Sequence, residues 1–315
     1  MTPIQEEILA LKREKEFTIL CHNYVDGSVQ DIADFVGDSL ELSQKAKKCG
    51  AKNILFCGVR FMAETAKLLS PDSHVYTAHP GAGCPMADMC QPEALRAWKR
   101  DHAEHLIIAY VNTTAETKSI VDICVTSGNA ERILKQLDTT QPILFLPDQN
   151  LGANLNARLG IKMDLWNGFC STHHRISVDD IGRAKADHPE SSVFVHLECK
   201  PEVVALADAA LSTAGMLKYV ENHDAPSYIV GTEEGMIYRL RKEFPEKTFY
   251  GMKPSILCPN MKKVELANVL DCLKGNGHEI ELSDEILEQA LRPVEKMLAL
   301  SECFAPPDRT SGGRY

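Results

Sequence analysis

The chain has 315 residues, 44% apolar and 25% charged, with a net charge of −10 and eleven cysteines. This is the composition of a packed globular protein of two or three domains, and without a basic block it excludes nucleic acid and anionic membrane as partners. No apolar run reaches spanning length and no basic-then-apolar leader opens the chain, so the expected compartment is the cytoplasm, where an odd cysteine count speaks against a disulfide framework.

Thr2 and Pro3 open a helix whose apolar face is Ile4, Ile8, Leu9 and Leu11. The apolar run Phe17–Cys21 then ends in His22-Asn23-Tyr24, and a second step, Phe35-Val36, ends in Gly37-Asp38-Ser39. Leu40–Lys48 reads as helix, Asn53–Gly58 as strand, Phe61–Leu69 as helix and His74–Ala78 as strand, before the turn that holds Cys84. Short apolar runs alternating with helices of about ten residues predict parallel βαβ construction.

The next stretch repeats the plan. A helix over Pro92–Lys99 precedes the strand His105–Ala109, which ends in Tyr110-Val111-Asn112; Ile123–Val125 ends in Thr126-Ser127-Gly128, and a strand at Ile143–Leu146 leads on to Cys170. A third copy runs from the helix Val178–Ala186 through Ser192–Val195, which ends in His196-Leu197-Glu198. Ala209–Leu211 then ends in Ser212-Thr213, and the strands Tyr228–Val230 and Thr248–Gly251 lead to Cys258.

The intervals support a true repeat. First-strand end to hydroxyl measures 17 residues (His22 to Ser39), 17 (Tyr110 to Ser127) and 16 (His196 to Ser212). First-strand end to cysteine measures 62, 60 and 62, and preceding helix to first-strand end measures 19, 18 and 18. The units so defined are 1–84, completed by 259–315, then 85–170 and 171–258. After Cys258 a helix over Met261–Leu273, a strand over His278–Leu282 and a helix capped by Ser283 are expected to pack on the first unit and close a ring. Residues 306–315 read as a tail.

Ligands of parallel α/β sheets bind beyond the carboxyl ends of the strands. Units placed about a common axis would bring together three thiols, His22, His196, Tyr24, Tyr110, Glu198, Asn112 and several hydroxyls. Three thiolates on one centre suit a soft metal or an iron–sulfur cluster, and a four-iron cluster held by three cysteines leaves one iron open as a Lewis acid. Cys21, Cys57 and Cys124 lie in apolar runs and read as core, Cys49 and Cys272 fall on helices, Cys90 reads as structural, and Cys199 is ambiguous. His173 and His174 read as solvent-facing loop residues with His173 within reach of the site, His79, His102 and His278 as surface, and Arg60 and Lys253 as solvated charge. No nucleotide-binding glycine motif opens any βα turn, and His196-Leu-Glu198 lacks the cysteine partner of a zinc deaminase.

Taken together, the three cysteine loops, His22-Asn-Tyr24, Gly37-Asp-Ser39, Tyr110-Val-Asn112, Thr126-Ser127, His196-Leu-Glu198 with Ser212-Thr213, and Cys258-Pro-Asn-Met261 resemble the quinolinate synthase family over nearly the whole chain. The resemblance implies an α/β fold of three similar three-layer α/β/α units with short parallel sheets, in pseudo-threefold symmetry around a central site. It implies condensation of iminoaspartate with dihydroxyacetone phosphate to quinolinate, phosphate and water in de novo NAD synthesis, and one [4Fe-4S] cluster on Cys84, Cys170 and Cys258. Tyr24, Tyr110 and Glu198 are the expected acid–base groups. His22, Ser39, Tyr110, Asn112, Ser127, His196, Glu198, Ser212 and Thr213 are the expected substrate contacts. Functional coupling to an iminoaspartate-producing enzyme follows from the same resemblance. Some family members carry a C-terminal cysteine cluster; here only Cys303 stands in that region. Another open-iron hydro-lyase of the aconitase type, a non-catalytic iron–sulfur redox sensor and a metal-free phosphosugar-binding protein are the alternatives.

Overall fold

The structure is a computed structural model that describes residues 1–302; Cys303 and the expected tail lie outside the described residues. Three sheets carry the chain. The first orders Phe35–Gly37, Phe17–His22, Asn53–Cys57 and His74–Thr77, all parallel, with His278–Glu279 added antiparallel at one edge. The second orders Ile123–Val125, Leu106–Tyr110, Ile143–Leu146 and Asp164–Leu165. The third orders Ala209–Leu211, Ser192–His196, Ser227–Gly231 and Thr248–Gly251. In each sheet the spatial order of the unit's own strands is second, first, third, fourth. The fold is α/β, built from three similar units, as the intervals predict.

The first strands read as continuous apolar runs because a parallel sheet covered by helices buries both faces. Ile19, Leu20 and Cys21, Ile107, Ile108 and Ala109, and Val193, Phe194 and Val195 are fully buried. Helices begin where a side chain can take up the free N–H groups of the first turn. Asp38 accepts from Leu40 and Glu41 while Glu41 reaches back to the Asp38 N–H, so Ser39–Cys49 starts immediately beyond the second strand. Asp148 likewise accepts from Asn150 and Leu151 to start Gln149–Leu159, and Ser177 accepts from Asp180, which reaches back to its N–H, to start Val178–Asp187.

Each unit meets the next head to tail. Glu64, on the helix Arg60–Leu69 after the third strand of the first sheet, accepts the Ala115 N–H at the start of the short helix Ala115–Lys118. The corresponding helix of the second unit, Gln149–Leu159, packs on Pro201–Val204. That of the third, Gly235–Glu243, packs on Gly27–Gln30, where Tyr238 and Lys242 both bond Asp31. The Tyr238 ring lies so close to Gly27 that a Cβ there would overlap it.

The C-terminal segment packs on the first unit, as expected, but it is not what brings the third unit to the first. The third unit meets the first directly, while the C-terminal segment adds an edge strand and a long helix. The strand expected over His278–Leu282 is only His278–Glu279 and runs antiparallel at the edge of the first sheet. The helix expected over Met261–Leu273 is broken. A 3-10 turn, Met261–Lys263, gives way to extended backbone at Val264 and Glu265, and Glu265 with Asn268 then caps a new helix, Leu266–Asp271. Gly275, at φ 104°, ends that helix in a conformation that strains any residue with a Cβ. The last helix, Asp284–Glu302, lies on Arg60–Leu69 of the first unit and on Ala115–Lys118, Ile123–Val125 and Ala130–Leu134 of the second. No described helix is long and apolar enough to cross a membrane.

Candidate active site

Strand register aligns the three units at their carboxyl ends. His22 pairs with Gly37, Tyr110 with Val125 and His196 with Leu211. Two residues beyond each partner stand Ser39, Ser127 and Thr213, so the interval from first-strand end to hydroxyl is 17 in all three units. Thr213, and not Ser212, is the third equivalent hydroxyl. Ser212 stands one place earlier, at the N-cap, and its Oγ accepts the Gly215 N–H at 3.1 Å. The residues two beyond the first-strand ends, Tyr24, Asn112 and Glu198, are likewise equivalent.

One central cavity is lined by His22, Tyr24, Ser39, Cys84, Tyr110, Asn112, Ser127, Cys170, His196, Glu198, Thr213 and Cys258. Of the residues expected at the site, Ser212 alone stays off its wall. Asp38, His173 and Asn260 line it as well. His173 corrects the sequence reading: it is 1% exposed and not a surface loop residue. The short helix Ser171–His174 begins directly after Cys170 and turns this imidazole inward. Arg60 pairs with Glu64, and Lys253 lies in solvent beside Asp187; neither lines the cavity. His102 is stacked on Trp98 at 4.0 Å and only half exposed. Cys90 is buried with its carbonyl bonded to Thr117, and Cys199 is buried in the core.

Hydrogen bonds order the wall. Glu198 Oε1 accepts from Tyr110 Oη at 2.5 Å, and Oε2 lies 2.7 Å from His173 Nδ1. His173 Nε2 is 2.8 Å from Thr232 Oγ1, itself 2.7 Å from Tyr24 Oη. With the His173 proton on Nδ1, donors along this path all point toward one carboxylate. His22 and His196 share a second arrangement. Each Nδ1 accepts the N–H of the residue two further on, Tyr24 or Glu198, at 3.2 Å. Their protons therefore sit on Nε2.

Burial sets the charge states. It pulls His22 down to about 3, with help from His196, and His196 down to about 4. At neutral pH both imidazoles are neutral N–H donors. Burial pushes the Tyr24 and Tyr110 phenols well above their ordinary value, with Glu198 adding to the effect, so both keep their protons at neutral pH. Burial would also raise Glu198. Its neighbours His196 and His173 and the bonds from His173 and Tyr110 outweigh that and hold it ionised. Burial raises Asp38, beside Glu41, to about 6. Asn112 Oδ1 is buried without a partner, an amide left open toward the cavity.

Cys84, Cys170 and Cys258 come from three different units and are each half-buried at the same cavity, and no fourth cysteine is among its described lining residues. Burial pushes the Cys84 thiol up to about 12 and raises the Cys170 thiol well above its ordinary value, so these thiols hold their protons until a bound cation displaces them. Such a donor set fits an iron–sulfur cluster with one iron left without a protein ligand. Cys170 Sγ, His173 and Glu198 also offer ligand atoms within 4.8 Å of one another. The 2.7 Å contact between His173 and Glu198 accounts for that closeness without an ion.

Comparison with known proteins agrees with this geometry. Residues 6–299 match the protein family described as Quinolinate synthetase A protein. A protein named quinolinate synthase from Thermodesulfovibrio yellowstonii is 47% identical over 94% of this chain and 97% of its own length. One of the same name from Dehalococcoides mccartyi strain CBDB1 is 47% identical over the same shares, and one from Methanoregula boonei is 44% identical over 94% and 98%. With matches that span essentially its whole described fold, the chain belongs to the quinolinate synthetase A family.

Proposed function

We propose that this protein condenses iminoaspartate with dihydroxyacetone phosphate, releasing phosphate and water to give quinolinate for NAD synthesis, with one [4Fe-4S] cluster on Cys84, Cys170 and Cys258. The observation that carries this reading is the meeting of three thiols, one from each unit, with His22, Tyr24, Tyr110, His196 and Glu198 on a single cavity wall. When bound, such a cluster supplies a Lewis-acidic iron for substrate oxygen.

The chain's own groups do the rest. The substrates together carry two carboxylates and a phosphate, yet no lysine or arginine is among the described lining residues. Neutral donors meet these anions: Nε2–H of His22 and His196, the hydroxyls of Ser39, Ser127 and Thr213, and the N-termini of Ser39–Cys49 and Thr213–Asn222, which open at the wall. Asn112 orients a carbonyl or carboxylate with its open amide. Glu198, the ionised group at the centre, accepts the proton leaving carbon, and Tyr110, bonded to it at 2.5 Å, passes a proton on to a departing oxygen. Tyr24 ends the path that runs through Thr232 and His173 to the same carboxylate.

The cytoplasm belongs to the same proposal, since iron-ligating thiolates need a reducing compartment. So does coupling to an iminoaspartate-producing enzyme, because an imine hydrolyses in water. The test is iron analysis of protein purified without oxygen, followed by an assay for quinolinate; protein with full iron that forms none is not this enzyme. Glu198→Gln keeps the shape of the side chain and is expected to lower turnover at least a hundredfold with iron content unchanged. Undiminished quinolinate formation by that variant removes Glu198 from the mechanism.

A further inference from the structure

The loop that follows each first strand carries site residues at its first and third positions: His22 and Tyr24, Tyr110 and Asn112, His196 and Glu198. Its second and fourth residues turn their carbonyls away from the cavity, into the protein. In the first unit, Gln30 Nε2 bonds both of these carbonyls, Asn23 at 3.0 Å and Val25 at 2.9 Å. In the second, Lys118 Nζ bonds Val111 at 2.8 Å and also Thr113. In the third, Asn154 Nδ2 bonds Leu197 at 2.9 Å and Cys199 at 2.8 Å. The three loops are thus bracketed in the same way, each by one side-chain nitrogen.

The donors follow the repeat and then depart from it. Gln30 and Lys118 each end the short helix after the loop, Gly27–Gln30 and Ala115–Lys118, eight residues beyond the first-strand end. The equivalent helix of the third unit, Pro201–Val204, ends in Val204, which has no donor to offer. Asn154 replaces it from the second unit's helix Gln149–Leu159, and Asn150 on the same helix bonds the Glu198 carbonyl at 3.2 Å. All three donors are buried, and Lys118 is fully so.

These donors are buried, and a buried carbonyl pair left without its donor costs free energy or reorients to find another. The first and third loops have a second tie, the imidazole that accepts the N–H of Tyr24 or Glu198. The second loop has Tyr110 where that imidazole would stand, and Lys118 Nζ ties it through the Val111 and Thr113 carbonyls. Lys118 meets no carboxylate within bonding distance among the described residues; its bonds go to the two loop carbonyls, and its Nζ lies over the ring of Phe61, itself a cavity residue.

We propose that Gln30, Lys118 and Asn154 are three equivalent positioning residues, each fixing one site loop so that Tyr24, Asn112 and Glu198 face the substrates together, with the third loop held from the neighbouring unit. The consequence for activity rests on the function proposed above; the consequence for the loops does not.

Lys118→Met keeps the chain length and removes the donor, and Asn154→Leu does the same for the third loop. In iron-loaded protein each is expected to lower kcat/KM tenfold or more with iron content kept. In each, peptide-level amide hydrogen exchange is expected to rise at least tenfold in the bracketed loop alone, residues 111–114 or 197–200. Lys118→Gln, which places the first unit's own residue at this position, is expected to restore at least half of the kcat/KM. Exchange in both loops equal to that of the unaltered protein overturns the proposal. So does a rise confined to residues 149–159 in Asn154→Leu, for the hold across units. Local exchange changes in a protein that forms no quinolinate would retire the functional reading and leave the brackets standing. Quinolinate formation within twofold of the unaltered protein, in variants whose loops exchange faster, would overturn their positioning role.

Discussion

His22 and His196 enter the cavity as neutral rings because burial removes the water that would solvate a charge, and their Nδ1 atoms are already occupied by backbone N–H groups. The same burial makes folding sensitive to acid. A histidine with a folded value near 4 and an ordinary value near 6.5 binds fewer protons when folded throughout that interval. Its contribution is complete above pH 6.5 and is lost as pH falls toward 4, by about 1.4 kcal/mol per pH unit at most. Asp38, raised to about 6, works in the opposite direction: its penalty is present above pH 6 and is relieved as pH falls toward the ordinary carboxylate value. His196→Gln is expected to flatten the fall of Tm between pH 7 and pH 5. An unchanged slope in thermal melts across that range would mean that His196 is not the buried neutral group described here.

Among the elements, the long helix Asp284–Glu302 has the widest reach. It buries Ala290, Val294, Met297 and Leu298 against elements of the first and second units, and Asn129 of the second unit bonds Ser301 on it at 2.9 Å. Met297→Ala leaves a cavity at a fully buried seam and is expected to cost about 2–5 kcal/mol, seen as a lower Tm or denaturant midpoint. A cost below about 1 kcal/mol would mean that the helix only lies on the surface. The preceding segment shows how local chemistry overrides periodicity. Its apolar spacing reads as one helix over Met261–Leu273, but the caps at Glu265 and Asn268 restart the chain after an extended step, and Gly275 stops it.

At the scale of the whole molecule, three copies of one unit supply three unlike triads to a common centre. The shared backbone plan places the side chains, and divergence at equivalent positions supplies the chemistry: His, Tyr and His at the first-strand ends, Tyr, Asn and Glu two residues on. Because each thiol comes from a different unit, loss of one should remove a ligand of the proposed cluster without unfolding any sheet. Cys258→Ala is expected to lose the iron and the cluster absorption while Tm of the iron-free proteins stays within a few degrees of each other, since the thiol is half-exposed and on a loop. Iron content equal to that of the unaltered protein would exclude Cys258 as a ligand.

Much of this arrangement was legible in one dimension because it is periodic. The strand ends, the cysteines and the hydroxyls recur at intervals that survive divergence of almost every other residue, since the length of a βα step is dictated by helix rise and sheet spacing. What recurs can be counted; what crosses between units cannot. His173 gave no signal beyond its place next to Cys170, and it enters the site only because a four-residue helix turns it inward against Glu198 from 25 residues away. Thr232 joins Tyr24 across 208 residues, and Asn154 brackets a loop of another unit across 43 and 45. Charge states were equally out of reach: neutral imidazoles, protonated phenols and an ionised Glu198 depend on how far water is excluded and which donors stand nearby. The linear chain therefore carries the plan of three units and the residues that face their centre, and packing decides which of those residues touch and in which protonation state they meet a substrate.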